Sequence, residues 1–201
     1  MGAQDESRSC FPPAYARRTM LKGTLSLGLG LPWLQVAAAQ DSDPRSVRPQ
    51  EGDRFVFPPG ARVGQLITPA DLPMSGPPVM AYPMDPNTAV VRDGSRLNQV
   101  LLLRLDPAAL AEETRARAAE GIVAFSAVCT HTGCDVALWQ ADVQRLKCPC
   151  HESEFDPKAG ARVVGGPAPR RLPMLPLKIV DRVLMAAGGF TGRVGFQQGG
   201  G

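Results

Sequence analysis

The sequence predicts a loop-rich, all-β protein, and three observations carry that prediction. Twenty prolines and twenty-one glycines among 201 residues leave few uninterrupted stretches for helix. Short apolar runs are bounded by turn signals such as Asp93-Gly94 and Asp181-Arg182. Apolar residues make up 44% of the chain, enough for a real core. The length suits one domain of moderate size with an N-terminal extension. The net charge is +3, and residues 1–39 contribute four basic and two acidic side chains, so the remainder carries about +1. That is too small to argue for nucleic acid.

Residues 1–16 read as a polar leader, in which Cys10 has no evident partner. Ala16-Arg17-Arg18-Thr19-Met20-Leu21-Lys22 resembles the twin-arginine export motif. The apolar run from Gly23 to Ala39 is broken by Gly28, Gly30 and Pro32. It is short beside the ~20 apolar residues a membrane span needs. Ala37-Ala38-Ala39 before Gln40 reads as a signal-peptidase site, so 1–39 is a twin-arginine signal or an N-terminal anchor. The alternative is a chance pair of arginines. Residues 40–53 read as a charged, proline-bearing linker, and 54–196 as the folded domain, with a flexible tail at 197–201.

Within that domain, Arg54-Phe55-Val56-Phe57 is expected as the first strand, and the proline-rich residues 58–87 as an irregular surface segment. Thr88–Arg92 and Leu97–Leu105 are expected as strands about Asp93-Gly94. Asp106-Pro107 can cap and start a helix over Ala108–Glu120, an insertion stopped by Gly121. Ile122–Val128 is an apolar run. Asp135–Leu138 and Val143–Lys147 are expected as strands, and Leu175–Val180 with Val183–Ala187 as a closing hairpin. Trp33, in the export segment, and Trp139 both read as packing residues.

The chemistry is concentrated between Cys129 and His151. Cys129-Thr130-His131-Thr132-Gly133-Cys134 is followed, thirteen residues on, by Cys148-Pro149-Cys150-His151. This stretch holds both histidines of the chain and four of its five cysteines. Thiolate and imidazole suit zinc or iron–sulfur chemistry rather than calcium or magnesium. A structural zinc site of two Cys and two His is one reading, but it leaves two cysteines unexplained. Plain structural disulfides beside bystander histidines are another.

The pattern resembles the disulfide-bearing Rieske proteins, whose two-iron, two-sulfur cluster is held by two Cys and two His. The resemblance covers roughly residues 88–196 and is specific around the ligands. It implies a Rieske-type antiparallel β-sandwich with one inserted helix and a cluster-binding subdomain over about 128–170. It also implies a [2Fe-2S] cluster, with Cys129 and Cys148 on the buried iron and His131 and His151 on the outer one. Cys134 and Cys150 would form a disulfide between the loops, which in turn implies an oxidising compartment. Gly165-Gly166-Pro167-Ala168-Pro169 resembles the stiff loop that covers the cluster. Ser153 stands where the family has a hydroxyl donating to a bridging sulfide. Phe155 stands where the family has a tyrosine donating to a cysteine ligand's sulfur.

Such proteins work as oxygenases or as electron-transfer subunits. An oxygenase needs a further iron bound by two histidines and a carboxylate, and no histidine is left for it. Soluble oxygenase ferredoxins lack the disulfide pair and an export signal. Two exported relatives remain. Ile122-Val123-Ala124-Phe125-Ser126 and Glu154-Phe155-Asp156 resemble the arsenite oxidase small subunit, which serves a molybdopterin subunit. The Gly-Pro-Ala-Pro loop and Leu172-Pro173 resemble the Rieske subunit of the cytochrome bc complex, whose partners are a cytochrome b and a cytochrome c. Thr132 and Phe155 replace leucine and tyrosine of the latter, and the apolar N-terminal run is short. The expectation is therefore an arsenite-oxidase-like relay subunit on the periplasmic side, with the bc subunit as alternative. Neither is itself catalytic. Membrane contact would come through the N-terminal segment.

Overall fold

The computed structural model describes residues 43–196; the export motif, the cleavage-like site, Trp33 and Cys10 lie outside the described residues. Among the described residues, ten strands form two antiparallel sheets. The large sheet contains β1 (Arg54–Val56), β2 (Val79–Met84), β3 (Val100–Arg104), β4 (Ile122–Ser126), β9 (Leu177–Val180) and β10 (Val183–Ala186). Their order across the sheet is β4-β3-β2-β1-β10-β9. The small sheet contains β5 (Leu138–Gln140), β6 (Arg145–Lys147), β7 (Glu154–Asp156) and β8 (Arg162–Gly165), paired in sequence order. The chain thus leaves the large sheet after β4, builds the small one, and returns at β9.

The apolar runs of β3 and β4 have a simple cause. Leu101, Leu103, Val123 and Phe125 pack in one core with Leu146, Cys148 and Phe155 of the small subdomain. The alternating set Val100, Leu102, Ile122 and Ala124 packs with Phe55, Ala81 and Leu184 in a second core. Both faces are buried, so the two-residue side-chain alternation divides apolar residues between two cores instead of between core and water. The closing hairpin forms as its sequence predicts: Val183 pairs with Val180, and Asp181 and Arg182 both take positive φ. That is the backbone of a two-residue turn suited to strand twist.

Several expected elements differ. Residues 79–84, expected as irregular, form β2 in the middle of the large sheet. Pro83 is tolerated because β3 pairs only with Val79, Met80 and Ala81. On that side Pro83 accepts the Arg92 amide through its carbonyl at 2.8 Å, where no N–H is needed. Thr88–Arg92 is reduced to a single bridge between Met84 and Val91, because a tight turn tied by Asp85 leaves no room for a ladder. β3 starts at Val100, after a 3₁₀ turn at Arg96–Asn98 capped by Ser95. β5 begins three residues later than expected, at Leu138, since Val136 is taken up by the Ala127 carbonyl.

The helix expected over Ala108–Glu120 is a 3₁₀ turn at Pro107–Ala109 and a four-residue helix, α1 (Glu112–Arg115). Asp106 caps the turn through Ala108 N at 2.9 Å. Beyond it, tertiary partners take the backbone groups. Ala111 N donates to Lys158 O, and the Arg115 side chain donates to Pro107 O and Leu110 O. A short, alanine-rich segment gains too little from its own ladder to compete.

The end of the expected linker is tied down. Asp53 is 1% exposed and receives Arg92 Nε at 2.6 Å and Nη2 at 2.9 Å. Buried Asn98 donates to the carbonyls of Val47 and Arg92.

Candidate metal centre

Two short loops face one another beneath a third. The first, Cys129–Cys134, leaves β4, and the second, Cys148–His151, joins β6 to β7. Both close in the same way. Cys129 N donates to Cys134 O at 2.8 Å, and Gly133 N donates to Cys129 O at 3.0 Å. Cys148 N donates to Ser153 O at 2.9 Å, and Glu152 N donates to Cys148 O at 3.1 Å. In each loop the fourth residue after the cysteine is left-handed, Gly133 at φ 83° and Glu152 at φ 62°. Glycine adopts that backbone freely, whereas glutamate pays for it. Lys147 reaches the Glu152 carboxylate at 3.0 Å.

The loops are joined covalently. Cys134 and Cys150 form a disulfide with their Cα atoms 6.5 Å apart. The sulfurs of Cys134, Cys148 and Cys150 lie within 4.8 Å of one another, but two of them are spent on that bond. Cys129 and Cys148 are free thiols, 0% and 1% exposed. His131 is half-buried, His151 is exposed, and their rings meet edge-on with centroids 4.7 Å apart.

The third loop lies on the second. Gly166 sits at φ 75°, and a Cβ there would come within 2.5 Å of Ser153 Cα and 2.7 Å of Glu152 O. Only glycine permits that approach. Two residues on, Ala168 N donates to the buried Ser153 hydroxyl at 3.1 Å. Pro167 and Pro169 are exposed on either side of Ala168. Phe155 is fully buried on β7, pairing with Leu146 and Val163 in the core beneath the loops.

These residues fit a [2Fe-2S] cluster. Burial pushes the Cys129 thiol above its ordinary value, against the His131 backbone amide; the nearby Cys148 sulfur pushes it further up, and the Ser153 hydroxyl pulls it down. Two adjacent buried sulfurs of this kind become thiolates when a metal supplies positive charge. The buried Nδ1 of His131 has no hydrogen-bond partner among the described residues. A buried polar atom without a partner needs an explanation, and a metal bond is one.

Sequence reasoning did not single out Thr130, Glu152, Arg96 or Arg170. Buried Thr130 donates to Arg170 O at 2.6 Å. Arg96 donates to Gly133 O at 3.0 Å and to Asp135 at 2.6 Å. Glu152 was open to inference, since it follows Cys148 by the same four residues that separate Gly133 from Cys129. The arginine contacts span 37 and 40 residues and leave no local signal.

Comparison with known proteins points to one family. The Rieske iron–sulfur subunit of the cytochrome bc1 complex of Streptomyces lividans is 40% identical over 98 residues, covering 48% of this chain and 58% of that protein. Its counterpart in Corynebacterium diphtheriae is 45% identical over 73 residues, covering 36% of this chain and 18% of that one. A protein of Haloferax mediterranei described as a respiratory nitrate reductase Rieske subunit is 49% identical over 76 residues, covering 37% and 34%. The matches therefore span less than two thirds of these relatives. The soluble domain of Rieske protein II from Sulfolobus acidocaldarius aligns at a TM-score of 0.38 and 27% identity, over 50% of this chain and 66% of that one. Residues 66–176, more than half of the chain, match the Rieske [2Fe-2S] domain family, and the chain belongs to that family.

Proposed function

We propose that the protein is an exported one-electron relay, the Rieske subunit of an oxidoreductase complex. The observation that carries it is the pairing of two buried free cysteines with two histidines, one half-buried and one exposed, in loops joined by a disulfide. Cys129 and Cys148 would hold one iron of the cluster, and His131 and His151 the other. When bound, the cluster takes up and passes on one electron at a time. The exposed ring of His151 offers the point of entry or exit, while Gly166–Pro169 and the disulfide keep water from the sulfur side. Imidazole ligands are neutral where thiolates are anionic. Such centres therefore lie at roughly −150 to +300 mV, against about −400 mV for all-cysteine plant-type ferredoxins.

The donor subunit is an oxidoreductase of the molybdopterin kind, as in arsenite oxidase, and the electron leaves to a soluble acceptor. Support comes from the apolar ring of Phe155 at the tyrosine position and from the likeness to the Haloferax nitrate reductase Rieske subunit. The likeness to actinobacterial bc1 subunits favours a second reading, with cytochrome b and cytochrome c as partners. Isolation of the native complex decides between them. Molybdenum copurifying in equal amount supports the first reading; b-type haem without molybdenum overturns it in favour of the second.

A further inference from the structure

The chain beyond β10 returns to the cluster loops and is held there by one arginine. Thr191 N donates to Met174 O at 2.8 Å, and Met174 N donates to the Thr191 hydroxyl at 3.0 Å. Past that point the strap at residues 192–196 has no ladder. Among the described residues its hydrogen bonds come from Arg170, whose guanidinium donates to the carbonyls of Arg193 and Gly195.

Arg170 also faces the other way. Its own carbonyl accepts the hydroxyl of Thr130, which lies between Cys129 and His131. The strap then touches the same loop twice more. The backbone of Gly195 lies against Leu97 and Val128, the residue before Cys129. The Phe196 ring lies over Gly133, where an added Cβ would meet its Cδ1 at 2.9 Å. A closed circuit runs from Thr130 through Arg170, Gly195 and Phe196 to Gly133. Arg96 holds the Gly133 carbonyl from outside.

We infer that Arg170 is a positioning residue for the cluster, clamping the C-terminal strap onto the first ligand loop and thereby fixing His131. Arg170, Thr130 and Gly133 lie within the family match at 66–176, and the strap they hold lies beyond it. A planar guanidinium can serve two carbonyls at once in a fixed geometry, which an ammonium cannot. The inference rests on the cluster placement proposed above.

The test uses full-length, cluster-loaded protein and the variants Arg170→Ala, Arg170→Lys, Phe196→Ala and the Ala/Ala double. Three readouts are iron release to a chelator, the electron paramagnetic resonance spectrum of the reduced form, and amide exchange. Arg170→Ala is expected to release iron about tenfold faster or more, the scale seen when partners of metal ligands are removed. Its spectrum shifts, and exchange quickens at residues 128–136 but not in β1, β9 or β10. Arg170→Lys falls between. The double variant releases iron no faster than Arg170→Ala, because both residues act through one strap. Unchanged release and spectrum in Arg170→Ala overturn the inference. So does faster exchange throughout the large sheet, which marks general destabilisation. A wild type without a mixed-valence signal overturns the cluster placement itself, and this inference with it.

Discussion

The Ser153 hydroxyl accepts the Ala168 amide at 3.1 Å, and the same hydroxyl lowers the pKa of the neighbouring Cys129 thiol. One bond thus holds the third loop on the second and keeps a hydroxyl beside Cys129. A donor there stabilises the more negative, reduced state and raises the potential. Ser153→Ala is expected to lower the midpoint by something on the order of tens of millivolts, since only part of a ~1.5–3 kcal/mol charged hydrogen bond differs between redox states. Redox titration checks this, and an unmoved midpoint removes the hydroxyl from the cluster's tuning.

Phe155 is the complementary case. Its ring is fully buried at the family's tyrosine position and has nothing to donate. Phe155→Tyr is expected to raise the midpoint on the same order of tens of millivolts. The wild type should lie below quinol-oxidising members of the family. A titration in which Phe155→Tyr leaves the midpoint where it was makes the ring a packing residue only.

The disulfide between Cys134 and Cys150 ties loops sixteen residues apart. Closing a loop of that length contributes about 2–4 kcal/mol in chain-entropy terms. Replacing both cysteines with serine should give a protein that assembles its cluster and loses it at lower temperature. Visible absorbance on heating follows the loss. An unchanged melting profile contradicts the assignment.

Asp53 and Arg92 make a bidentate ion pair at 2% and 8% side-chain exposure. Removing Asp53 leaves the buried Arg92 guanidinium with only Asp85, at 3.9 Å, so the loss approaches that of a broken buried pair, about 3–5 kcal/mol. Asp53→Ala should therefore be severely destabilised in denaturant unfolding. A loss below about 1 kcal/mol, the scale of a surface pair, would mean that water reaches the guanidinium.

Export is tested at Arg17 and Arg18. Changing both to lysine should strand the protein in the cytoplasm, and the mature N-terminus should lie at or near Gln40. Normal export of the double variant rejects the twin-arginine reading. An uncut N-terminus with membrane association favours an anchor and raises the case for the bc-type complex.

The two cysteine–histidine loops were legible because their residues are local. Cysteine, histidine, glycine and proline in fixed spacing carry both the chemistry and the turns, and the disulfide joins the pair that the family resemblance implies. The closing hairpin was legible for a similar reason, since Asp181-Arg182 separates two apolar runs. The helix was misread because alanine content measures propensity, whereas Lys158 and Arg115 settle where the backbone groups go. β2 was hidden by Pro83, which is harmless only because β3 pairs no further along β2 than Ala81. Arg170 and Phe196 were invisible because their contacts with the first ligand loop span forty and sixty-odd residues.

Electron paramagnetic resonance of the dithionite-reduced protein, with iron and zinc counted in the same sample, shows whether Cys129, His131, Cys148 and His151 hold a [2Fe-2S] cluster. Two irons per chain and a mixed-valence signal of low average g are expected, with the signal lost in His131→Ala and in His151→Ala. A silent spectrum with one zinc per chain overturns the assignment.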